Sequence, residues 1–181
     1  MTQAFLVSFL GGAALLALFA ALALGAVIAL VSGRAGWRWF PFLFAAAFFV
    51  FLTQHPFPPL HGLDCPLPYT NPQLKPFRFV HELMEAAAGG PGQLATLQPS
   101  AILMNLLLCI PIGALFARHS ASLRAAVALG IGLPLLVEIS QLTGIFGLYP
   151  CPYRQFDVDD LILNFTGIVG GFLLARRVRR A

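Results

Sequence analysis

The chain has 181 residues, of which 59% are hydrophobic and 10% charged, with 11 Lys and Arg against 7 Asp and Glu. A soluble domain carries roughly 25% charged residues, so this chain has too little polar surface to coat a water-soluble core and is too apolar to stay disordered. The net charge of +4 does not point to nucleic acid, because the basic residues stand between long apolar runs, as they do at membrane boundaries.

Residues 4–31 contain no charge and exceed the roughly 20 residues that cross a bilayer. They lack the basic start and short apolar stretch of a signal peptide, and read as a retained span. Residues 37–52 are shorter and Phe-rich, with Trp37 and Trp39 placed as interface residues. Residues 100–117 form the third span, 125–148 the fourth, and about 160–175 the fifth. The expected fold is an all-α, polytopic transmembrane helical bundle of about five spans. A long loop, 53–99, separates the second span from the third. Its first half is Pro-rich and irregular. In 77–88, Phe77, Val80 and Met84 recur at helical spacing while Arg78 and Glu82 lie four apart on another face. This pattern predicts a short amphipathic helix, either lying on the membrane surface as a lid or lipid contact, or packed on the bundle.

Orientation follows from the basic residues. Arg34, Arg38, Arg118, Arg124, Arg176, Arg177, Arg179 and Arg180 fall on one side, and Lys75, Arg78 and Arg154 on the other. The positive-inside rule puts the eight-arginine side in the cytoplasm, with the N-terminus and the long loop outside. Cys65 and Cys151 both fall in expected outside loops, where an oxidising compartment permits a disulfide between them. Cys109 reads as a small buried apolar residue. His55, His61 and Cys65 match no zinc spacing, so no metal is assigned to them.

The informative residues are polar groups inside spans, each a candidate for function because its insertion is costly. Glu138 lies near the middle of the fourth span, with Gln141 three residues on and Pro134 one turn before. The fifth span opens with Asp157, Asp159, Asp160 and Asn164, and helical spacing puts Asp157, Asp160, Asn164, Gly167 and Gly171 on one face. Small residues on that face let another helix approach closely. Asn105 lies just below the outer boundary of the third span. Asn105, Glu138, Gln141, Arg154, Asp157, Asp160 and Asn164 therefore gather in the outer half of the membrane, either as a packing network or as an outward-facing ligand site. Four carboxylates against Arg154 leave an excess of negative charge. Some must protonate, bind a divalent cation through Asp157 and Asp160, or meet Lys75 and Arg78 from the loop.

These residues stand in four stretches: residues 74–77 (LKPF), 105–113 (NLLLCIPIG), 138–141 (EISQ) and 154–167 (RQFDVDDLILNFTG). In them the chain resembles the VanZ family, named for a protein linked to low-level teicoplanin resistance. The resemblance covers residues 70–175 as a VanZ-like domain, after an N-terminal two-span region with its Pro-rich loop (1–69) and before a basic cytoplasmic tail (176–181). It implies a multi-pass protein of the bacterial plasma membrane and cell envelope, and it supports the seven site residues above, with Lys75 and Arg78 as accessories. Pro134 departs from the hydroxyl residue that many relatives carry there, and the loop cysteines lie outside the shared pattern.

Three functions compete. The first is a binder or modulator, at the outer leaflet, of a lipid-linked envelope precursor or a lipophilic glycopeptide, with membrane lipids as its surroundings and no nucleic acid. The second is a membrane-embedded enzyme using Glu138 as acid or base. The third is a structural or assembly protein using the Gly167 and Gly171 face. The absence of a Ser/His/Asp set, a Gly-rich phosphate loop or an HExxH motif weighs against the enzyme and gives no reason to expect a cofactor beyond that cation.

Overall fold

The computed structural model of the chain describes residues 3–55, 57–59, 71–94 and 96–180, with the side chains of 3–8, 97 and 98 excepted. Among the described residues the fold is all-α, with one isolated β-bridge between Gln73 and Asp157. Four segments are long and apolar enough to cross a membrane: Phe9–Gln54, Pro99–Phe116, Leu123–Leu142 and Val158–Val178. The first of these is folded in two. Helix α1 (Gln3–Ser32) ends in a 3-10 turn (Gly33–Trp39), and helix α2 (Phe40–Gln54) runs back along it. The ring of Phe9 thereby lies 5.3 Å from that of His55. The expected first two spans are the two arms of this hairpin.

The hairpin closes on small side chains. Ala13, Ala17 and Ala21 are fully buried at four-residue spacing and Gly25 continues the stripe against the Trp37 ring. The turn needs glycine twice. Gly33 is left-handed (φ 64°), and a Cβ on Gly36 would lie 2.7 Å from the backbone nitrogen of Ala29. On the other face of α1, Phe19, Leu30 and Val31 are exposed, as lipid-facing residues are.

Helix α3 (Arg78–Ala88) forms where the amphipathic spacing predicts it, with Phe77, Val80 and Met84 exposed. Helices α4 (Leu97–Phe116) and α6 (Val158–Val178) run parallel and make the most extensive helix pairing. Three glycines permit it: a Cβ on Gly167, Gly171 or Gly113 would lie 2.5, 2.1 or 1.8 Å from a carbonyl oxygen of the facing helix. Helix α5 (Leu123–Leu142) runs antiparallel to both, with Gly130 under the side chains of Phe165 and Val169. Phe49, Cys109, Ile112, Val137 and Ile168 fill the core among α2, α4, α5 and α6.

Two span boundaries differ from expectation. Helix α5 stops at Leu142 instead of continuing to 148. Thr143 Oγ1 accepts the Phe146 N–H at 3.0 Å, and Gly144 turns the chain left-handed (φ 59°) where a Cβ would meet the carbonyl oxygens of Tyr149 and Cys151 at 2.8 Å. Glu138 consequently sits four residues from the end of its helix, not at mid-depth. Helix α6 begins at Val158 and has 21 residues, about 31 Å at the helical rise. That length matches a hydrocarbon core of about 30 Å; the helix extends beyond the expected 160–175 at both ends, and Asp159 and Asp160 lie in its first turn.

Candidate functional site

The bundle has two chemically distinct ends. At the loop end, where α2 and α5 finish and α4 and α6 start, α4 and α6 are joined by two polar rungs one turn apart. Asn105 Nδ2 donates to Asp160 Oδ1, and the Cys109 thiol donates to Asn164 Oδ1 at 3.3 Å. The parallel register makes this repeat: four residues along each helix bring the next pair face to face. Glu138, only 1% exposed, reaches across from α5 and accepts the Asp157 N–H at 2.8 Å through Oε2. Asp157, Asp160 and Arg154 all lie within coulombic reach of Glu138.

Asp157 does not share a helix face with Asp160 and Asn164. Its backbone is extended (φ −133°) because it is the N-cap of α6, with Oδ1 accepting the Asp159 N–H at 2.8 Å. The same oxygen accepts from Gln73 Nε2 at 3.1 Å. Gln73 is buried, and its backbone brackets the junction, donating to the Phe156 carbonyl at 2.8 Å and accepting the Val158 N–H at 3.0 Å. The loop is thus stitched to the start of α6. Burial pushes the Asp157 carboxyl above the usual range and the neighbouring Asp159 adds to this, while N–H donors and Arg78 oppose it.

Asp159 was not among the expected site residues, yet it is 4% exposed and holds α3. Its Oδ1 accepts the Phe77 N–H at 2.6 Å and its Oδ2 the Phe79 N–H at 2.9 Å. These are free amides at a helix start, and Phe77 itself stands left-handed at φ 66°. Asp159 so plays the capping part from 80 residues away in sequence, which no local spacing reveals.

A second network ties α2 to α5. Gln54 Nε2 donates to Ser140 Oγ at 2.6 Å, the Tyr153 hydroxyl donates to Gln54 Oε1 at 2.8 Å, and Gln141 Nε2 donates to the Thr53 carbonyl at 3.2 Å. Arg154 donates to the His55 carbonyl at 2.7 Å. Burial pushes the Tyr153 phenol up to about 12. Gln141 therefore belongs to the α2 seam and faces the chain of α2 instead of a ligand space. His55 Nδ1 is buried without a hydrogen-bond partner among the described residues.

The accessory cations do not close on the carboxylates. Arg78 pairs with Glu82 at 2.8 Å, reaching Asp157 only at longer range, and the Lys75 side chain is exposed. Lys75 contributes backbone alone, its N–H donating to Gln73 Oε1 at 2.5 Å. The excess of negative charge is met by backbone amides and side-chain amides: Asp159 by Phe77 and Phe79, Glu138 by Asp157, Asp160 by Asn105. Among the described residues no three His, Cys, Asp or Glu stand together to hold a metal ion. Cys151 is disulfide-bonded, whereas Cys65 and His61 lie outside the described residues.

Beside this cluster, on the α5/α6 seam, Gly130, Ile131, Leu135, Leu161, Ile162 and Phe165 line an apolar groove of about 260 Å³. Leu135 lies one turn before Glu138, and Leu161 follows Asp160. A second groove, polar and about 440 Å³, lies between α3 and the start of α4 along Arg78, Glu82, Glu85, Gln93 and Thr96.

The family model described as VanZ/LLP1 matches residues 39–179. The chain belongs to the VanZ/LLP1 family. The VanZ/LLP1 match takes in α2 to α6 and thereby every described candidate from Lys75 to Asn164. Long apolar helices and this membership make it a polytopic membrane protein. No curated protein and no solved structure matches the chain.

Proposed function

We propose that this VanZ/LLP1 protein binds an amphipathic partner, a lipid-linked envelope precursor or a lipophilic glycopeptide, at the outer leaflet of the bacterial plasma membrane, with its loop end outside and its C-terminal end cytoplasmic. The observation that carries the reading is the convergence of Glu138, Asp157 and Asp160 with Asn105 and Arg154 at one end of membrane helices. Buried carboxylates at the end of membrane helices are costly, and an apolar groove lined by Leu135, Leu161 and Ile162 lies on the same α5/α6 seam. A ligand with amide, hydroxyl or cationic groups on an apolar tail fits both surfaces. Resistance to glycopeptides is the phenotype such binding produces when the ligand is the drug or its target.

Expression in a teicoplanin-sensitive bacterium tests this. Wild-type protein is expected to raise teicoplanin tolerance, and Asp160→Asn, which keeps the Asn105 contact but removes the charge, to abolish the gain at equal protein level. Binding of teicoplanin and of a lipid-linked precursor to the purified protein is the second readout. Neither tolerance nor binding above an empty-membrane control sinks the reading.

A further inference from the structure

The end of the bundle opposite the carboxylates contains a concentrated positive charge that the outer-leaflet reading does not use. No Asp or Glu occurs in residues 1–63, 86–137 or 161–181, whereas eight arginines do. Three of those arginines converge from three separate elements. Arg38, from the turn after α1, precedes Trp39; Arg118, at the end of α4, precedes His119, whose ring meets that of Trp39; and Arg179, at the end of α6, bonds the Ala117 carbonyl beside Arg118. The His119 ring is stacked on Trp39 with centroids 3.8 Å apart and planes 17° from parallel. The stack brings the neighbours of its two rings, Arg38 and Arg118, to one place.

Helix ends account for part of this charge. Arg179 Nη1 donates to the Ala117 carbonyl at 2.9 Å and Arg176 Nη1 to the Ala121 carbonyl at 2.5 Å, each serving the loop that joins α4 to α5. Each bond uses one of five guanidinium donors. Arg38, Arg118 and Arg179 stay exposed, so the remaining donors face outward. Burial and these positive neighbours push the imidazole of His119 below its ordinary range, so no positive charge is gained there. Among the described residues no carboxylate pairs with Arg38, Arg118 or Arg179, and like charges gathered at one place repel one another, which favours an external anion. The apolar surroundings say which kind. Leu174 and Val178, 59% and 68% exposed, lie one turn apart on the helix that carries Arg179, and Trp37 is exposed beside Arg38. An anion there has hydrocarbon on one side and water on the other.

We propose that Arg38, Arg118 and Arg179, arranged around the Trp39–His119 stack, form a binding site for the phosphate of an anionic phospholipid headgroup, with an acyl chain along the Leu174 and Val178 face. Guanidinium forks suit phosphate oxygens in a way that ammonium groups do not, and basic pockets between membrane helices are a recurrent form of headgroup recognition.

Trp37 and Trp39 are the chain's only tryptophans and flank Arg38, so their emission reports on this site. The full chain is reconstituted in phosphatidylcholine vesicles doped with either acyl-brominated phosphatidylglycerol or acyl-brominated phosphatidylcholine. The brominated phosphatidylglycerol is expected to quench more strongly at equal mole fraction. Its advantage should fall about thirtyfold in R38Q/R118Q, about 1 kcal/mol being lost per arginine, and less than about twofold in R124Q/R177Q. The two variants lose equal charge, so an equal fall in both means diffuse surface attraction and overturns the site. Equal quenching by the two lipids in the wild type overturns it without any variant, so a folding failure in R38Q/R118Q leaves the test intact. Displacement of the brominated lipid by excess inorganic phosphate means a site for the free ion, and overturns the lipid assignment.

Discussion

Asp157 shows how a carboxyl in this protein exchanges solvation for structure. It caps α6, accepts from Gln73, and gives its own N–H to Glu138, so three contacts meet in one half-buried residue. Burial, reinforced by Asp159, raises its folded pKa above the ordinary 3.8. For a group raised in the folded state, the unfolded chain binds fewer protons between the two values, and stability declines as pH rises. The contribution is full below 3.8 and is lost as pH climbs through the raised folded value. Chemical-denaturation midpoints of purified wild-type protein should therefore fall across that window relative to Asp157→Asn, whose amide does not titrate. Parallel pH curves for the two proteins contradict the assignment. Of the residues at this site, those inside spans were legible as expensive polar groups: Asn105, Glu138, Asp160 and Asn164 all find polar partners. Gln73 and Asp159 were not. Gln73 pairs with Asp157, and Asp159 with Phe77 and Phe79, across 80 to 84 residues of chain, and neither spacing nor hydropathy encodes such a pairing.

Among the elements, the α4/α6 pair illustrates what periodicity can and cannot tell. Gly167 and Gly171 at four-residue spacing marked a face suited to close approach, but not which helix would occupy it, nor that Gly113 would answer from the other side. Neighbouring glycines of α6 separate packing from propensity. A Cβ on Gly171 would lie 2.1 Å from the Ile110 carbonyl oxygen, while one on Gly170 would meet nothing within 4 Å. Both substitutions by Ala gain the same helix propensity, about 1 kcal/mol on peptide scales. Gly170→Ala should accordingly leave thermal stability in detergent unchanged or slightly raised. Gly171→Ala must push two backbones apart, at an overpacking cost of about 3 kcal/mol, and should lower the midpoint by several degrees. Equal effects at the two positions would show that α4 and α6 are not in contact as described. The ends of α5 and α6 were the least legible features. The apolar run continues past Leu142, and it is the Thr143 cap and left-handed Gly144 that stop the helix there.

For the whole molecule, composition alone carried the membrane assignment, and the arrangement of charge carries the orientation. Every acid lies in residues 64–85 or 138–160, and eight of eleven basic residues lie at the opposite end. Such segregation gives two ends of opposite character, and the two proposals above assign them neutral or cationic groups at the carboxylate end and phosphate at the arginine end. The positive-inside rule turns this into an outcome, because Lys and Arg in short loops resist translocation while acids count for little. Alkaline phosphatase fused after Arg180 is expected to be inactive and a fluorescent protein fused there to shine, since the positive-inside rule assigns that end to the cytoplasm. Replacing Arg176, Arg177, Arg179 and Arg180 with Gln leaves Arg34, Arg38, Arg118 and Arg124 against Lys75, Arg78 and Arg154. Eight against three then becomes four against three. The bias nearly vanishes, and phosphatase activity should appear in part of the population as the chain inserts both ways. Full phosphatase activity in the unsubstituted fusion reverses the orientation, and would move the carboxylate cluster to the cytoplasmic leaflet, out of reach of any drug or precursor arriving from outside.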